Sequence, residues 1–441
     1  MIEVTAVALL LISIMIPGWI ISGWLTLTVL NQLVSRLAWS FLLGSSFMTV
    51  MLMLSRWTGV QNKLTYGLGW LIAVALLVVI NGRINKELRV YRLGHLSRYA
   101  WIWLLISLAL ICFSLLLALT NPVIAYDSLF VWSFRAKLWF YQQSVEQQSI
   151  LNFGSWHNNY PWQISLLQYC LSLWLGYFSD TLVNLLSWFY YLTIAGLLYG
   201  QLRIWCSVER SLFWVAFYLS LPLVFVHSYQ SYADLALSAY VLGAFIALEA
   251  YWHSAKLRDA LIGSALLGLG FLVKLDALII SLASLGLMVL IRQMNWAKVK
   301  YSDIFKMIIV WILTASPWLA YLLYHNLGIS NVAGSWQWQP EAVLALAWSL
   351  GVSLNWHLLW FVCLASLLAH WKLIIKDKNL WLSWLSLALV LAVLVLLYVF
   401  TNVGYFAINQ TATSRNLLLI APIAVLVIAK TWARVELDQR G

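Results

Sequence analysis

Charge is what this sequence has least of. Only 9% of its 441 residues are Asp, Glu, Lys or Arg, where ordinary soluble domains carry roughly a quarter. Fifteen acids and 26 bases cannot coat a water-soluble globule of this size, which excludes a soluble enzyme and a disordered regulator. The net charge of +11 is no sign of nucleic acid, because a basic excess in a membrane protein gathers in its cytoplasmic loops. Cysteine is scarce as well. Cys112, Cys170, Cys206 and Cys363 lie in or beside apolar stretches without CxxC spacing and read as buried, inert thiols. There is no Walker loop, no GxGxxG after a strand, no HExxH helix and no GxSxG elbow. Nor is there an internal repeat of the transporter kind. The first positive residue is Arg36, so no cleavable signal peptide is expected.

What is present is apolar. Hydrophobic residues make up 63% of the chain and the mean hydropathy is +0.87. Crossing a bilayer core takes about 20 apolar residues. The runs predict an all-α polytopic membrane protein with about 13 transmembrane helices, near 5–30, 37–55, 65–81, 99–120, 183–202, 211–226, 234–252, 259–273, 276–291, 307–324, 341–369, 380–400 and 414–430. The segment 162–179 is ambiguous from its composition. The 28 Trp and 21 Tyr exceed what interfacial belts need, which leaves some to line a cavity.

Sidedness follows from the cations. The loop 82–98 holds Arg83, Lys86, Arg89, Arg92 and Arg98 against one acid, Glu87, and is therefore cytoplasmic. If 162–179 lies flat in the interface, every later basic loop also falls inside. The N-terminus is then outside, the C-terminus inside, and twenty of the twenty-six cations face the cytoplasm.

The charges left outside carry the functional information. Asp127 lies just past the 99–120 span, followed by Arg135, Lys137, His157 and Tyr160. Asp234 opens a span, Lys274 and Asp276 share a turn between two apolar helices, and Arg415 opens the last span. Charges at a membrane edge are costly unless paired or facing a wet cavity. One shared external cavity holding Asp127, Asp234, Lys274 and Arg415 is the expectation. His227 is a weaker candidate, and Glu249 is expected to pair with Lys256 or a neighbouring helix. Glu3, Glu146, Asp180 and Glu341 read as solvated loop residues. Trp336 and Trp338 either stack on a sugar or sit in the interface, and Asn409-Gln410-Thr411 forms a glycosylation sequon on an external loop.

An Asp just outside an early span, a helix begun by Tyr160-Pro161, the Tyr232-Ala233-Asp234 turn and the Lys274-x-Asp276 turn together resemble the GT-C superfamily. These are polytopic glycosyltransferases that use polyprenyl-phosphate sugars. The likeness covers about residues 99–430 and is to bacterial members related to the protein mannosyltransferases and lipid A aminoarabinose transferases. It implies a GT-C-like catalytic core over 99–441, with interfacial helices in an external loop at 121–180. Residues 1–98 then form an N-terminal three-helix addition.

The resemblance further implies Asp127 as the acid that binds or deprotonates the acceptor, Asp234 as the second external acidic position and Lys274 as the recurrent lysine of the later turn. The chemistry of transfer from a lipid phosphate adds Arg415, with Lys274, as cations for the leaving group and Asp276 as the residue that orients Lys274, which makes Asp234, Lys274, Asp276 and Arg415 the substrate-binding candidates. Lys137, Arg135, His157 and Tyr160 join them as candidates. The implied partners are the bilayer, a polyprenyl-phosphate-linked sugar donor and a glycan, lipid or protein acceptor, at the periplasmic face of a bacterial inner membrane. No cofactor is implied. Metal-dependent members carry a DxD-type second site, whereas Asp234 stands alone, so no metal site is expected. Two alternatives use the same substrates: an O-antigen polymerase or ligase, and a transporter of lipid-linked sugars.

Overall fold

The computed structural model describes residues 2–25, 32–57, 63–81, 96–143, 145, 158–294, 299–328 and 335–440. Among them there is helix and no strand; one isolated antiparallel bridge joins Trp336 to Thr401. In lipid every backbone N–H and C=O must be satisfied within the segment, and an apolar run achieves this as a helix. The chain begins with α1 (Ile2–Trp24), α2 (Leu33–Trp57), α3 (Lys63–Asn81) and α4 (Arg98–Thr120). Two shorter helices follow, α5 (Ser133–Gln142) and α6 (Gln163–Leu175), and then α7 (Leu185–Trp205), α8 (Val208–Ser220) and α9 (Pro222–Ser228). The second half runs through α10 (Asp234–Ser254), α11 (Leu257–Gly270), α12 (Ala277–Gln293), α13 (Tyr301–Tyr324) and α14 (Glu341–Gly351). It closes with α15 (Leu359–Lys376), α16 (Lys378–Phe400), α17 (Gly404–Ile408) and α18 (Thr413–Arg440).

Among the described residues nine helices are long and apolar enough to cross a membrane, or ten if the bent pair α8–α9 is one span. Not all of the thirteen expected spans are found among them: the 276–291 run forms α12, which at 17 residues is one of the shorter apolar helices. The run 341–369 is two helices, of which α15 is long enough to span and α14 is not. At 14 residues, α11 is only about 21 Å long at 1.5 Å per residue. Pro222 at the first position of α9 fixes a bend of 75° against α8, since proline suits a helix start and cannot continue the preceding ladder. Asp377 separates α15 from α16 and caps the latter through Asn379 N and Leu380 N. The loop used to assign sidedness, 82–95, lies outside the described residues.

Two helices form the axis of the bundle. In α10 and in α18, 94% of the spanning window is buried, against 17% in α4, so α4 presents its leucines outward while α10 and α18 are enclosed by protein. The short α6 is buried along nearly its whole length. At 13 residues it is too short to cross, and it is covered by protein along its length.

The N-terminal segment is not a loose appendage. A side chain at Gly44 would meet Ile14 O at 1.8 Å, and one at Gly200 would meet Ser35 at 2.5 Å. Gly44 lets α2 touch the α1 backbone directly, and Gly200 leaves room on α7 for the Ser35 side chain of α2, the usual packing device where lipid gives no hydrophobic drive. A buried polar knot adds to this. Gln163 Nε2 donates to the hydroxyls of Tyr190 and Tyr240, each at 2.8 Å, and Tyr240 donates to Leu42 O at 3.0 Å.

Candidate active site

The charges that the sequence is expected to leave outside converge at one end of the bundle. Asp127 follows α4 and precedes a π-helical turn at Ser128–Trp132. Asp234 is the first residue of α10, where the positive end of the helix dipole favours an anion. Lys274 sits in the turn after α11, its N–H donating to Gly270 O at 3.1 Å. Asp276 is the residue before α12, and Arg415 lies in the first turn of α18.

These five side chains alternate in sign along one chain of contacts. Arg415 Nη1 lies 2.5 Å from Asp127 Oδ2. Its Nε and Nη2 donate to Asp234 Oδ2 at 3.2 and 2.9 Å. Lys274 Nζ donates to Asp234 Oδ1 at 2.9 Å and lies 3.1 Å from Asp276 Oδ2. The order is Asp127, Arg415, Asp234, Lys274, Asp276. Two cations stand between three carboxylates. Asp234 at the centre is completely buried, while the two terminal acids keep 22% and 25% of their side-chain surface exposed. Burial by itself would lower the Lys274 ammonium, but Asp234 and Asp276 hold it above the ordinary lysine range, so it is charged at neutral pH.

Aromatic and amide groups wall the chain in. Arg415 sits over the Tyr232 ring, with 4.8 Å from Cζ to the centroid. His227 stacks on the other ring contact of Tyr232 at 4.6 Å and brings Nε2 to 3.7 Å from Asp234 Oδ2. The His227 Nδ1 is 2.9 Å from Leu223 O, a contact that needs the proton on Nδ1. Asn416 Nδ2 donates to the Tyr398 hydroxyl at 2.7 Å. Burial pushes the Tyr160 phenol up; Lys274 and Arg415 pull it down while Asp276 and Asp127 push the same way as burial. Tyr160 is thus within electrostatic reach of four of the five charges.

Other candidates are placed elsewhere. Arg135 is buried and donates through Nη1 to the carbonyls of Tyr160 and Pro161 at 2.9 and 3.2 Å. It fixes the backbone beneath Tyr160 instead of offering its guanidinium to a ligand. Burial lowers that guanidinium to about 10, which still leaves it charged at neutral pH. Lys137 pairs with Asp180 at 2.9 Å on the surface, so neither Lys137 nor Asp180 is a freely solvated charge. Glu3 likewise accepts from the Tyr177 hydroxyl. His157 lies outside the described residues. His227 and Tyr232 are the members that hydropathy and charge counting underrate; their signal is the run His227-Ser-Tyr-Gln-Ser-Tyr232-Ala-Asp234, which brings them to the acid.

Glu249 pairs not with Lys256 but with Lys430 of α18. It also accepts from Gln201 at 2.9 Å and from Ser383 at 2.8 Å. Among the described residues no three His, Cys, Asp or Glu side chains come together as metal ligands; the carboxylates of the site face Arg415 and Lys274.

A small apolar cavity of about 30 Å³ lies between α10 and α12. Val241, Ala244 and Leu248 of α10 face Ile280, Ala283 and Leu287 of α12 across it. Ile280 is one turn beyond Asp276, so the cavity begins directly beneath the Lys274–Asp276 corner. No protein-family profile, curated protein or solved structure matches the chain.

Proposed function

We propose that the protein is an inverting glycosyltransferase of the GT-C type, moving a sugar from a polyprenyl-phosphate donor to an acceptor hydroxyl at the external membrane face. The observation that carries this reading is the pairing of Arg415 and Lys274 on one buried carboxylate, Asp234, with Asp127 on the rim beside them. Transfer from a lipid phosphate requires cations at the leaving group and a carboxylate for the acceptor proton. The acceptor oxygen forms its bond to the anomeric carbon as the bond from that carbon to the phosphate oxygen breaks. The electron pair leaves with the polyprenyl phosphate, and the hydroxyl proton passes to Asp127.

Arg415 and Lys274 stabilise the charge that grows on the departing phosphate. They are worth most in a poorly hydrated site with their positions already set. Asp234 sets those positions by binding both. The exposed Trp336 and Trp338 beside Phe400 offer faces for a sugar. The test is turnover of purified protein in proteoliposomes with a panel of polyprenyl-phosphate hexoses and pentoses, read as release of polyprenyl phosphate. Inert behaviour toward the whole panel, with acceptors of all three classes present, counts against the reading.

One observation favours a second reading. The 75° break between α8 and α9 precedes the short helix whose last turn carries His227, and broken helices at a charged site are a feature of transporters. Flipping of a labelled lipid-linked sugar across the same proteoliposomes, without sugar transfer, would select that alternative.

A further inference from the structure

Arg415 divides its guanidinium between two carboxylates in very different settings. Nε and Nη2 are held by Asp234, which is fully buried and bound on its other oxygen by Lys274. Nη1 is held by Asp127, which is on the rim and partly exposed. An anion arriving from outside therefore meets Arg415 where Asp127 already stands, since the opposite side is closed. Both cations of the chain are neutralised in this arrangement, and the five groups together carry one net negative charge. Such a site has no spare positive charge to offer; an anion gains Arg415 only by taking over a carboxylate's contact. Asp127 is the exchangeable one, because it is partly exposed and binds one cation, whereas Asp234 is fully buried and its movement would take a contact from both Lys274 and Arg415.

We propose that Asp127 is a latch on Arg415, displaced from Nη1 by the phosphate of the lipid donor, so that the donor binds first and its arrival turns Asp127 toward the acceptor hydroxyl. The identity of the anion rests on the function proposed above; the latch rests on the division of the guanidinium. The consequence runs against the usual expectation for a binding-site residue: removing the Asp127 charge tightens donor binding.

The experiment is a double-mutant cycle on the binding of farnesyl phosphate, which has the lipid and the phosphate but no sugar, to protein in nanodiscs. Wild type, Asp127→Asn, Arg415→Gln and the double variant are compared by calorimetry. Asp127→Asn is expected to bind about tenfold more tightly than wild type, equivalent to about 1.4 kcal/mol, and the gain is expected to vanish in the Arg415→Gln background. Asp127→Ser serves as a second uncharged variant if the asparagine form is not recovered folded. Equal or weaker binding by both uncharged variants, with wild-type binding still dependent on Arg415, overturns the latch and leaves the phosphate site standing. A gain that persists in Arg415→Gln also overturns it, because that is the general effect of removing one negative charge. Absence of binding to wild type and to every variant removes the phosphate site itself, and the latch with it.

Discussion

Asp234 and Arg415 face each other at the starts of two parallel helices, two guanidinium nitrogens meeting one carboxylate oxygen at 2.9 and 3.2 Å. They are separated by 181 positions in the chain, and so are Glu249 and Lys430, the second ion pair between the same helices. Equal separation means α10 and α18 run side by side in one register. Fifteen residues along each helix, at 1.5 Å per residue, puts the two pairs about 22 Å apart. One pair belongs to the charged chain at the mouth. The other is enclosed, with its hydrogen bonds taken by Gln201 and Ser383.

The lower pair is expected to matter for stability alone. Lys430→Met leaves Glu249 buried without its cation and should destabilise the fold by about 3–5 kcal/mol, the usual effect of breaking a buried pair. Glu249→Gln combined with Lys430→Met should recover most of that loss, since the glutamine carbonyl can accept from Gln201 while its amide N–H donates to the Ser383 hydroxyl. Thermal unfolding in detergent measures the first effect, and sugar transfer by the double variant should stay near wild type.

The upper pair is expected to behave differently. Arg415→Ala should lower turnover about 10²–10³-fold, as loss of a preorganised donor to a developing anion does. The acceptor KM should not change. Steady-state kinetics with each substrate varied separately checks this, and unchanged donor KM and kcat together would rule out the phosphate role of Arg415.

Arg135 acts through the backbone it holds. Arg135→Met removes the donor to Tyr160 O and Pro161 O and should lower kcat while leaving the donor KM as it was, the pattern of a misplaced positioning element. A rise in donor KM with kcat intact would instead make Arg135 a ligand for the lipid phosphate.

Much of the charged chain was legible because charge is so rare in this sequence. In a membrane protein a lone Asp or Arg at a helix end needs a partner, and the partners of Asp127, Asp234, Lys274 and Arg415 turn out to be one another. Long-range pairs without a local cue were not legible. Nothing near Lys137 in sequence points to Asp180, and Arg135 shares a segment with Asp127 yet is folded beneath Tyr160. The span count suffered for a related reason. Hydropathy registers apolar residues, not whether their helix is long and straight enough to cross, so the shortness of α11 and the bend between α8 and α9 are silent in it. Lipid is also as apolar as a leucine-lined interior. The burial of α6 therefore has no compositional mark that sets it apart from a helix lying in the interface.

The most direct test of the central claim is the rate of polyprenyl-phosphate release by Asp127→Asn in proteoliposomes, beside wild type and with binding of farnesyl phosphate checked in the same preparation. The account predicts that the asparagine variant folds, binds the lipid phosphate at least as well as wild type, and transfers no sugar. Near-normal transfer by Asp127→Asn would contradict it.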